Sequence, residues 1–397
     1  MALRLLQVNA HGADSSVGGT EKHLETLGLE LGARGFEVSL LSAFPSKVAP
    51  EFTHSRVLHR THWRDDPFRR LRNHAGDVMA NPTARLQAAV EAFRPDLVHT
   101  HNLPGITSAV WEVCRRLGVP VVHTLHDYHL LCPRVTLLRA DGERCRPHPL
   151  VCGLRAKRLA RWADGVSHVI SVSQHLLDEH RGVFPHAATH IVRNPLPRTA
   201  DGPSSQPRPR LETIGYLGAL ERIKGVDQLL SAAPELERMG CHLRLAGDGR
   251  MRRDVEEAAG RSGRISYDGV ISGLAKREFL QRCDLGIMPS VWAEPGGPTN
   301  VMVEWLSAGR PALVSNRGGL GEAIPLFPGA VAVEPTAEGI VAAVAPLLEP
   351  DAWRHAVERV RPPAASEDDV DRWVSDHERI FRAALGSRLG LQKEPAP

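Results

Sequence analysis

The stretch that most restricts what this chain can fold into runs from Cys283 to Glu322, CDLGIMPSVWAEPGGPTNVMVEWLSAGRPALVSNRGGLGE. It holds an apolar run, an acid (Glu294), a Gly/Pro loop, a second acid (Glu304) in a helical pattern, then another apolar run closed by Gly318 and Gly319. Short apolar runs bounded by turn residues are buried strands, and the segment between them is long enough for a helix. The order is therefore strand, loop, helix, parallel strand. Such a loop turns backbone N–H groups and a helix N-terminus toward an anion. Its two carboxylates are left to accept hydroxyls. Phosphate donors beside hydroxyl acceptors suit a sugar nucleotide better than a peptide or a lipid.

The same alternation extends in both directions. In the first half, 3–10, 36–43, 95–102, 119–127, 168–173 and 189–194 read as buried strands, and Thr20–Ala33 has helical spacing with Leu24, Leu27 and Leu31 on one face. Strands alternating with helices imply a parallel, doubly wound sheet, whose ligands bind beyond the carboxyl ends of the strands. Those ends carry His11, His101, Asn102, His126, Asp127, Ser173 and Asn194. The Pro-, Ser- and Arg-rich stretch PLPRTADGPSSQPRPR breaks the pattern. A second set of strands follows at 213–220, 241–247, 264–269, 285–290 and 311–316. The expected organisation is an α/β chain of two Rossmann-like domains facing a central cleft: 1–195, a linker at 196–210, and 211–365. A helix over 366–386 is expected to pack back on the first domain, followed by a disordered tail over 387–397. Ser366 reads as that helix's N-cap with Asp369 as reciprocal partner, and Asp369 and Asp371 as acids complementing the helix dipole rather than a metal pair.

A length of 397 residues favours two domains, and 42% hydrophobic content is that of a soluble globular protein. No run of about 18 apolar residues is present to span a membrane. The opening residues lack the pattern of a secretion signal and read as a first strand, so a cytoplasmic location is expected. Charge is uneven: residues 1–200 carry 25 Lys/Arg against 18 Asp/Glu, and the remainder 24 against 28. The basic excess is densest at 56–72 and 134–161. It is either a solvated Arg-rich surface or a face for an anionic membrane or phosphorylated acceptor. A nucleic-acid partner is not expected, since no basic and aromatic residues interleave. Cys132, Cys145 and Cys152, with His148 nearby, are spaced too widely for a typical zinc pair and read as reduced cysteines pinning a loop.

Four further segments sit where such folds hold ligands. Gly218-Ala-Leu-Glu-Arg222-Ile-Lys224-Gly225 follows a strand and opens a helix, placing two cations to neutralise a diphosphate. Ser15–Glu21, containing Gly18 and Gly19, lets backbone approach a ligand closely or forms only a tight turn. His126-Asp127 ends a hydrophobic strand. Ala246-Gly247-Asp248-Gly249 is a tight turn that Asp248 caps. Glu304 lies in the first turns of a helix capped by Thr299 or Asn300. Paired carboxylates also serve glycoside hydrolases, so Glu294 and Glu304 alone do not separate transfer from hydrolysis.

Taken in order, GGTE (Gly18–Glu21), PDLVHTHN, HTLHDYHLLCPR (His123–Arg134), SVS (Ser171–Ser173), Lys224-Gly225, AGDG (Ala246–Gly249) and the final acidic segment resemble glycosyltransferase family 4 from Leu3 to about Leu385. The resemblance implies the GT-B fold and retaining transfer of a hexosyl group from a nucleoside diphosphate sugar, UDP or GDP, to a glycan, lipid-linked or small-molecule hydroxyl, without a metal or other cofactor. It implies bacterial glycan assembly; the basic excess of the first domain, for its part, offers peripheral contact with an anionic membrane. By the same resemblance, Gly18 and Gly19 lie against donor phosphates and acceptor, and His126 contacts the transferred sugar. Lys224 holds the diphosphate and Glu294 the sugar hydroxyls. Thr299, Asn300 and Val301 offer backbone to phosphate, and Glu304 takes the ribose. Gly218, Gly247 and Gly249 line the donor side. Two positions depart from the family: Ala219 stands where an Arg is usual, with Arg222 as its substitute, and Glu294 and Glu304 are separated by nine residues instead of seven, with Gly296-Gly297 as the extra length. The alternatives are a nucleotide-sugar epimerase of similar fold and a non-catalytic sugar-nucleotide-binding partner.

Overall fold

In a computed structural model of the chain, the described residues are 2–12, 19–43, 55–57, 78–79, 81, 83–139, 142–145, 149–196, 207–363 and 367–390. The chain divides into two compact units: one of Met1–Leu137, Arg144–Arg193 and Asp371–Pro397, the other of Leu138–Glu143 and Asn194–Val370.

The first unit contains β1 (Arg4–Asn9), α1 (Gly19–Ala33), β2 (Glu37–Ser42), β3 (Ser55–Val57), α2 (Ala84–Glu91), β4 (Leu97–Thr100), α3 (Ala109–Arg116), β5 (Val121–Leu125), α4 (Leu150–Ala160), β6 (His168–Ser171), α5 (Gln174–His180) and β7 (Ala188–Ile191). Its seven strands are parallel in the order β3-β2-β1-β4-β5-β6-β7. β4 and β5 are buried along their whole length, as parallel strands covered by helices on both faces must be. Leu24, Leu27 and Leu31 recur at helical spacing and bury one face of α1. The last helix, α13 (Glu367–Gly390), belongs to this unit from Asp371 onward. It buries Trp373, His377, Phe381 and Ala384, again one helical face, and Arg34 of the same unit bonds the Asp371 carboxylate at 2.8 Å. The helix continues to Gly390, past the expected end at 386, because LGSRLG holds no proline to stop it. Ser366 and residues 391–397 lie outside the described residues.

The second unit contains β8 (Thr213–Leu217), α6 (Val226–Arg238), β9 (His242–Ala246), α7 (Arg252–Arg261), β10 (Ile265–Tyr267), α8 (Gly273–Arg282), β11 (Leu285–Met288), α9 (Asn300–Ser307), β12 (Ala312–Ser315), α10 (Gly318–Ala323), β13 (Ala330–Val333), α11 (Ala337–Val344) and α12 (Pro350–Glu358). Its parallel sheet runs β10-β9-β8-β11-β12-β13. Both sheets reverse strand order once, between β1 and β4 and between β8 and β11. These reversals are the positions where open α/β sheets bind ligands.

One packing contact fixes the helix that carries Glu304. The Trp305 ring, fully buried, lies over two strand glycines. A Cβ on Gly215 or on Gly286 would come within 2.5 Å of it. Only glycine in these strands lets α9 approach so closely. Gly286→Ala is expected to cost about 1–3 kcal/mol through overpacking. The check is a lower urea midpoint for this unit with an unchanged m-value.

Candidate functional site

In the second unit the site begins where β8 ends. Gly218 N–H donates to Ala246 O at 3.0 Å, and Leu220 N–H to Asp248 O at 2.8 Å, so the loops after β8 and β9 run in contact. Gly247 is left-handed (φ 139°), and a Cβ there would sit 1.8 Å from Gly218 O. Both conditions demand glycine. A Cβ on Gly249 would likewise meet Leu220 O at 2.4 Å. Asp248 accepts from Gly249 N–H at 2.9 Å, the turn-capping role read from its spacing. The Tyr216 hydroxyl donates to Ala219 O at 2.6 Å, fixing the backbone at Ala219. Burial, with Glu294 and Glu221 nearby, pushes that phenol's pKa up, so it stays a donor.

The next turn, Arg222–Lys224, is a single 3₁₀ turn whose last side chain points into the site. Lys224 Nζ donates to Glu294 Oε1 at 2.6 Å and lies 5.1 Å from the centre of the Trp292 ring. Trp292 N–H in turn bonds Ile223 O at 3.1 Å, tying the β11 loop to the lysine turn. Arg222 is exposed and makes none of these contacts. Glu294 is buried, and its carbonyl accepts from Gly319 N–H at 2.7 Å.

The loop between the acids is held by backbone-to-backbone packing. A Cβ on Gly319 would meet Gly296 Cα at 2.5 Å, and one on Gly297 would meet Gly319 O at 2.4 Å. The loop therefore packs against the start of α10, with Glu294 on Lys224. Thr299 is the N-cap of α9, accepting from Met302 N–H at 3.4 Å. Asn300 and Val301 form the first turn, whose N–H groups have no intrahelical partner. About one turn further along the same helix, Glu304 accepts from Lys276 Nζ of α8 at 2.8 Å.

The first unit holds a separate cluster at its own strand ends. His101 Nδ1 and His126 Nε2 are 2.9 Å apart. One of the two nitrogens carries the hydrogen, so the rings are locked in complementary tautomers. His99, His23 and His377 surround the pair: His99 and His101 ring centres are 4.0 Å apart, and His23 and His126 5.8 Å. Desolvation, then the neighbouring imidazoles, holds His101 and His126 well below the ordinary histidine range. Burial raises Asp127 to about 6. Beside them is a cavity of about 10 Å³, roughly one water. Asn9 links the ends of β1 and β4 to α1: its Nδ2 donates to Glu21 at 3.2 Å and its Oδ1 accepts from Asn102 N–H at 3.1 Å. Gly19 opens α1, and Gly18 lies outside the described residues.

Two family models match successive parts of the chain, in the order of its units: Glycosyltransferase Family 4 over residues 17–198 and Glycosyl transferases group 1 over residues 212–350. The chain belongs to glycosyltransferase family 4. This glycosyltransferase is 27% identical to a glycogen synthase of Mycobacterium tuberculosis, an alignment covering 100% of the chain and 97% of that protein. In fold it is similar to sucrose-phosphate synthase from Thermosynechococcus elongatus (TM-score 0.64, 18% identity, 96% of this chain and 100% of that one). It is also similar in fold to Anabaena HepE in complex with UDP and glucose (TM-score 0.60, 18% identity, 96% and 99%). The fold is GT-B.

The glycosyltransferase carries Lys224, Glu294, the three glycines and the start of α9 at the carboxyl ends of its second sheet's strands, and adds Lys276 and Trp292, which the motifs do not contain. Neither stands in a motif; each is supplied by a helix or loop that only the sheet order brings near. His101 was visible as a strand end, without its partner. Cys132 is buried, and Cys145 and Cys152 are partly so, all as free thiols. Among the described residues no group of His, Cys, Asp or Glu is arranged to hold a metal. His148 lies outside them.

Proposed function

We propose that this glycosyltransferase moves a hexosyl group, with retention, from a nucleoside diphosphate sugar to a hydroxyl acceptor. The observation that supports this most directly is the Lys224–Glu294 pair at the β8/β11 reversal, framed by glycine loops and the start of α9. Lys224 and the helix N-terminus would meet the diphosphate, with Arg222 as a further cation from solvent. Glu294 would hold sugar hydroxyls and Glu304 the ribose. The acceptor oxygen bonds to the anomeric carbon as the carbon–oxygen bond to the diphosphate breaks, on the same face, and the acceptor proton passes to a departing phosphate oxygen. Stabilising that leaving group is an electrostatic task for fixed cations and amides, with no metal called upon. His126, oriented by His101, would hold the transferred sugar. UDP and GDP sugars are the proposed donors, and the proposed setting is bacterial glycan assembly in the cytoplasm with acceptors offered free or at an anionic membrane surface.

Calorimetry of UDP-, GDP-, ADP- and TDP-sugars against the purified protein tests the reading. At least one should bind and raise the melting temperature by linkage. Product analysis without acceptor should show no isomerised donor, the outcome an epimerase would give. No association with any donor would sink the proposal.

A further inference from the structure

The second unit has a basic hollow at the end of its sheet that the proposed reaction does not use. The donor loops follow the carboxyl ends of β8, β9 and β11, whereas this cavity, of about 530 Å³, lies at the amino ends of β8, β9 and β10. Strands of five residues rise about 17 Å, so the depth of the sheet separates the two places. Thr213 and His242 are paired neighbours on β8 and β9, and Arg244 stands two residues on, on the same face. Arg264 enters β10 beside them, Arg208 precedes β8, and Arg282 closes α8. Four arginines thus line one concavity, with one carboxylate, Glu212, in its wall. Two of the four are engaged. Buried Asp284 accepts from Arg208 Nη1 at 3.0 Å and from the N–H groups of Glu212 and Thr213 at 3.1 and 2.9 Å, and Arg244 forks onto Asp268. The other two have N–H groups to offer. Arg264 donates to Gly240 O at 2.8 Å and meets no carboxylate among the described residues. Arg282 approaches Glu278 at 3.6 Å in solvent, too far for a hydrogen bond. His242, with Nε2 2.7 Å from Ser266 Oγ, registers the local field: burial and then Arg244 and Arg264 hold its pKa below the ordinary histidine range, against Asp268 and Glu237.

Guanidinium forks on the wall of a cavity of ligand size match the planar, paired oxygens of a phosphate. The rest of the lining decides what carries that phosphate. It holds no aliphatic side chain and no ring except His242, so a lipid tail or a nucleobase has little to pack on. It does hold Glu212 and Thr213, whose oxygens accept from hydroxyls. The volume leaves room beyond a bare phosphate. We infer that this hollow binds a phosphorylated sugar at a site separate from the donor site, with Arg264 and Arg282 on the phosphate and Glu212 and Thr213 on the hydroxyls. The site stands at the opposite end of the sheet from Lys224, so both can be occupied at once, and it holds whether or not the proposed transfer occurs.

The test is calorimetry of the full chain with glucose 6-phosphate, inorganic phosphate and glucose at about 0.1 M salt. Glucose 6-phosphate should bind at least about tenfold more tightly than phosphate, because its hydroxyls add hydrogen bonds, and glucose should not bind. Arg264→Gln with Arg282→Gln should weaken glucose 6-phosphate at least about 30-fold, the scale for losing charge-assisted hydrogen bonds. Both side chains are exposed, so the melting temperature of the double variant should hold. Lys224→Ala should leave this affinity unchanged, and a UDP-sugar should not displace glucose 6-phosphate. Loss of binding in Lys224→Ala, or displacement by a UDP-sugar, would put the compound in the donor site and overturn the inference. So would a chain that ignores glucose 6-phosphate, or a double variant that binds it like wild type. Equal affinity for phosphate and glucose 6-phosphate would also overturn it, leaving only a general anion patch. If glucose 6-phosphate binds through Arg264 and Arg282 while no sugar nucleotide binds, this site stands and the proposed reaction falls.

Discussion

Lys224→Ala is expected to reduce turnover by at least about 100-fold while the protein stays folded. The lysine is partly exposed at 29% of its side chain, so little core packing goes with it. What is lost is the positive charge that bonds Glu294 at the turn after β8. Removing one fixed electrostatic donor from a site where charge develops costs about 2.7–4 kcal/mol, the scale of 10²–10³ in rate. Two features sharpen the expectation. Glu294, buried, would be left without its cation, and the Trp292 face would lose the ammonium 5.1 Å from its centre. The effect should fall mainly on kcat, because in the proposed reaction the leaving diphosphate would gain charge only as the bond breaks. Glu294→Gln should instead act on both kcat and KM, since its proposed partners are ground-state hydroxyls. Steady-state kinetics on the two variants, with circular dichroism to confirm folding, decides the matter. Near-normal kcat in Lys224→Ala would remove the lysine from the chemistry and reduce its bond to Glu294 to a structural tie.

Most strands were legible in the sequence because both sheets are parallel and buried on both faces. Such strands announce themselves as short apolar runs, as at Leu97–Thr100 and Leu285–Met288. Two were missed. β3 is three residues, Ser55–Val57, with a polar first residue, and β13 is AVAV with its two central residues exposed. Edge strands bury less and so carry a weaker pattern. The site was legible where chemistry is written as a local motif: Gly218, Lys224, Gly247 and Glu304 all sit at strand-to-helix turns or the first turns of a helix. It was illegible where function comes from side chains brought near by sheet order. Lys276 reaches Glu304 across 28 residues, and His101 reaches His126 from the neighbouring strand. The spacing of Glu294 and Glu304 shows the same limit. The Gly-Gly loop between them is visible in sequence, but the Gly296–Gly319 contact that holds it is not.

Acid should unfold the first unit before the second. Burial holds His23 and His377 at about 4 and His123 at about 3, and it pushes His99, His101 and His126 well below their ordinary range. His180, at about 4 and again from burial, adds to the same side. A histidine lowered in the folded state stays neutral there while the unfolded chain takes up a proton below about 6.5. Its contribution is therefore complete above that pH and is lost as pH falls toward the folded value. Each such group costs about 1.4 kcal/mol per pH unit, or about 2 kcal/mol between pH 6.5 and 5. Asp127 works the other way. Raised to about 6, it binds a proton in the folded state first, so its effect favours folding below that pH and opposes it above. One carboxyl offsets one histidine over most of this range and leaves the rest unbalanced. A net loss of several kcal/mol at pH 5 is a large part of a typical domain's stability. In the second unit His242 is also lowered, but it is partly exposed and isolated from other histidines. Urea unfolding at pH 7, 6 and 5, followed by hydrogen exchange resolved along the chain, should show protection in β4, β5 and α13 falling first and steeply. Replacing His377 with Phe should flatten that slope by about one proton, because its neighbours Trp373 and Phe381 accept an aromatic ring. A pH-independent midpoint between 7 and 5 would mean these imidazoles titrate alike in both states, and the buried histidine cluster would then have no hold on the stability of this fold.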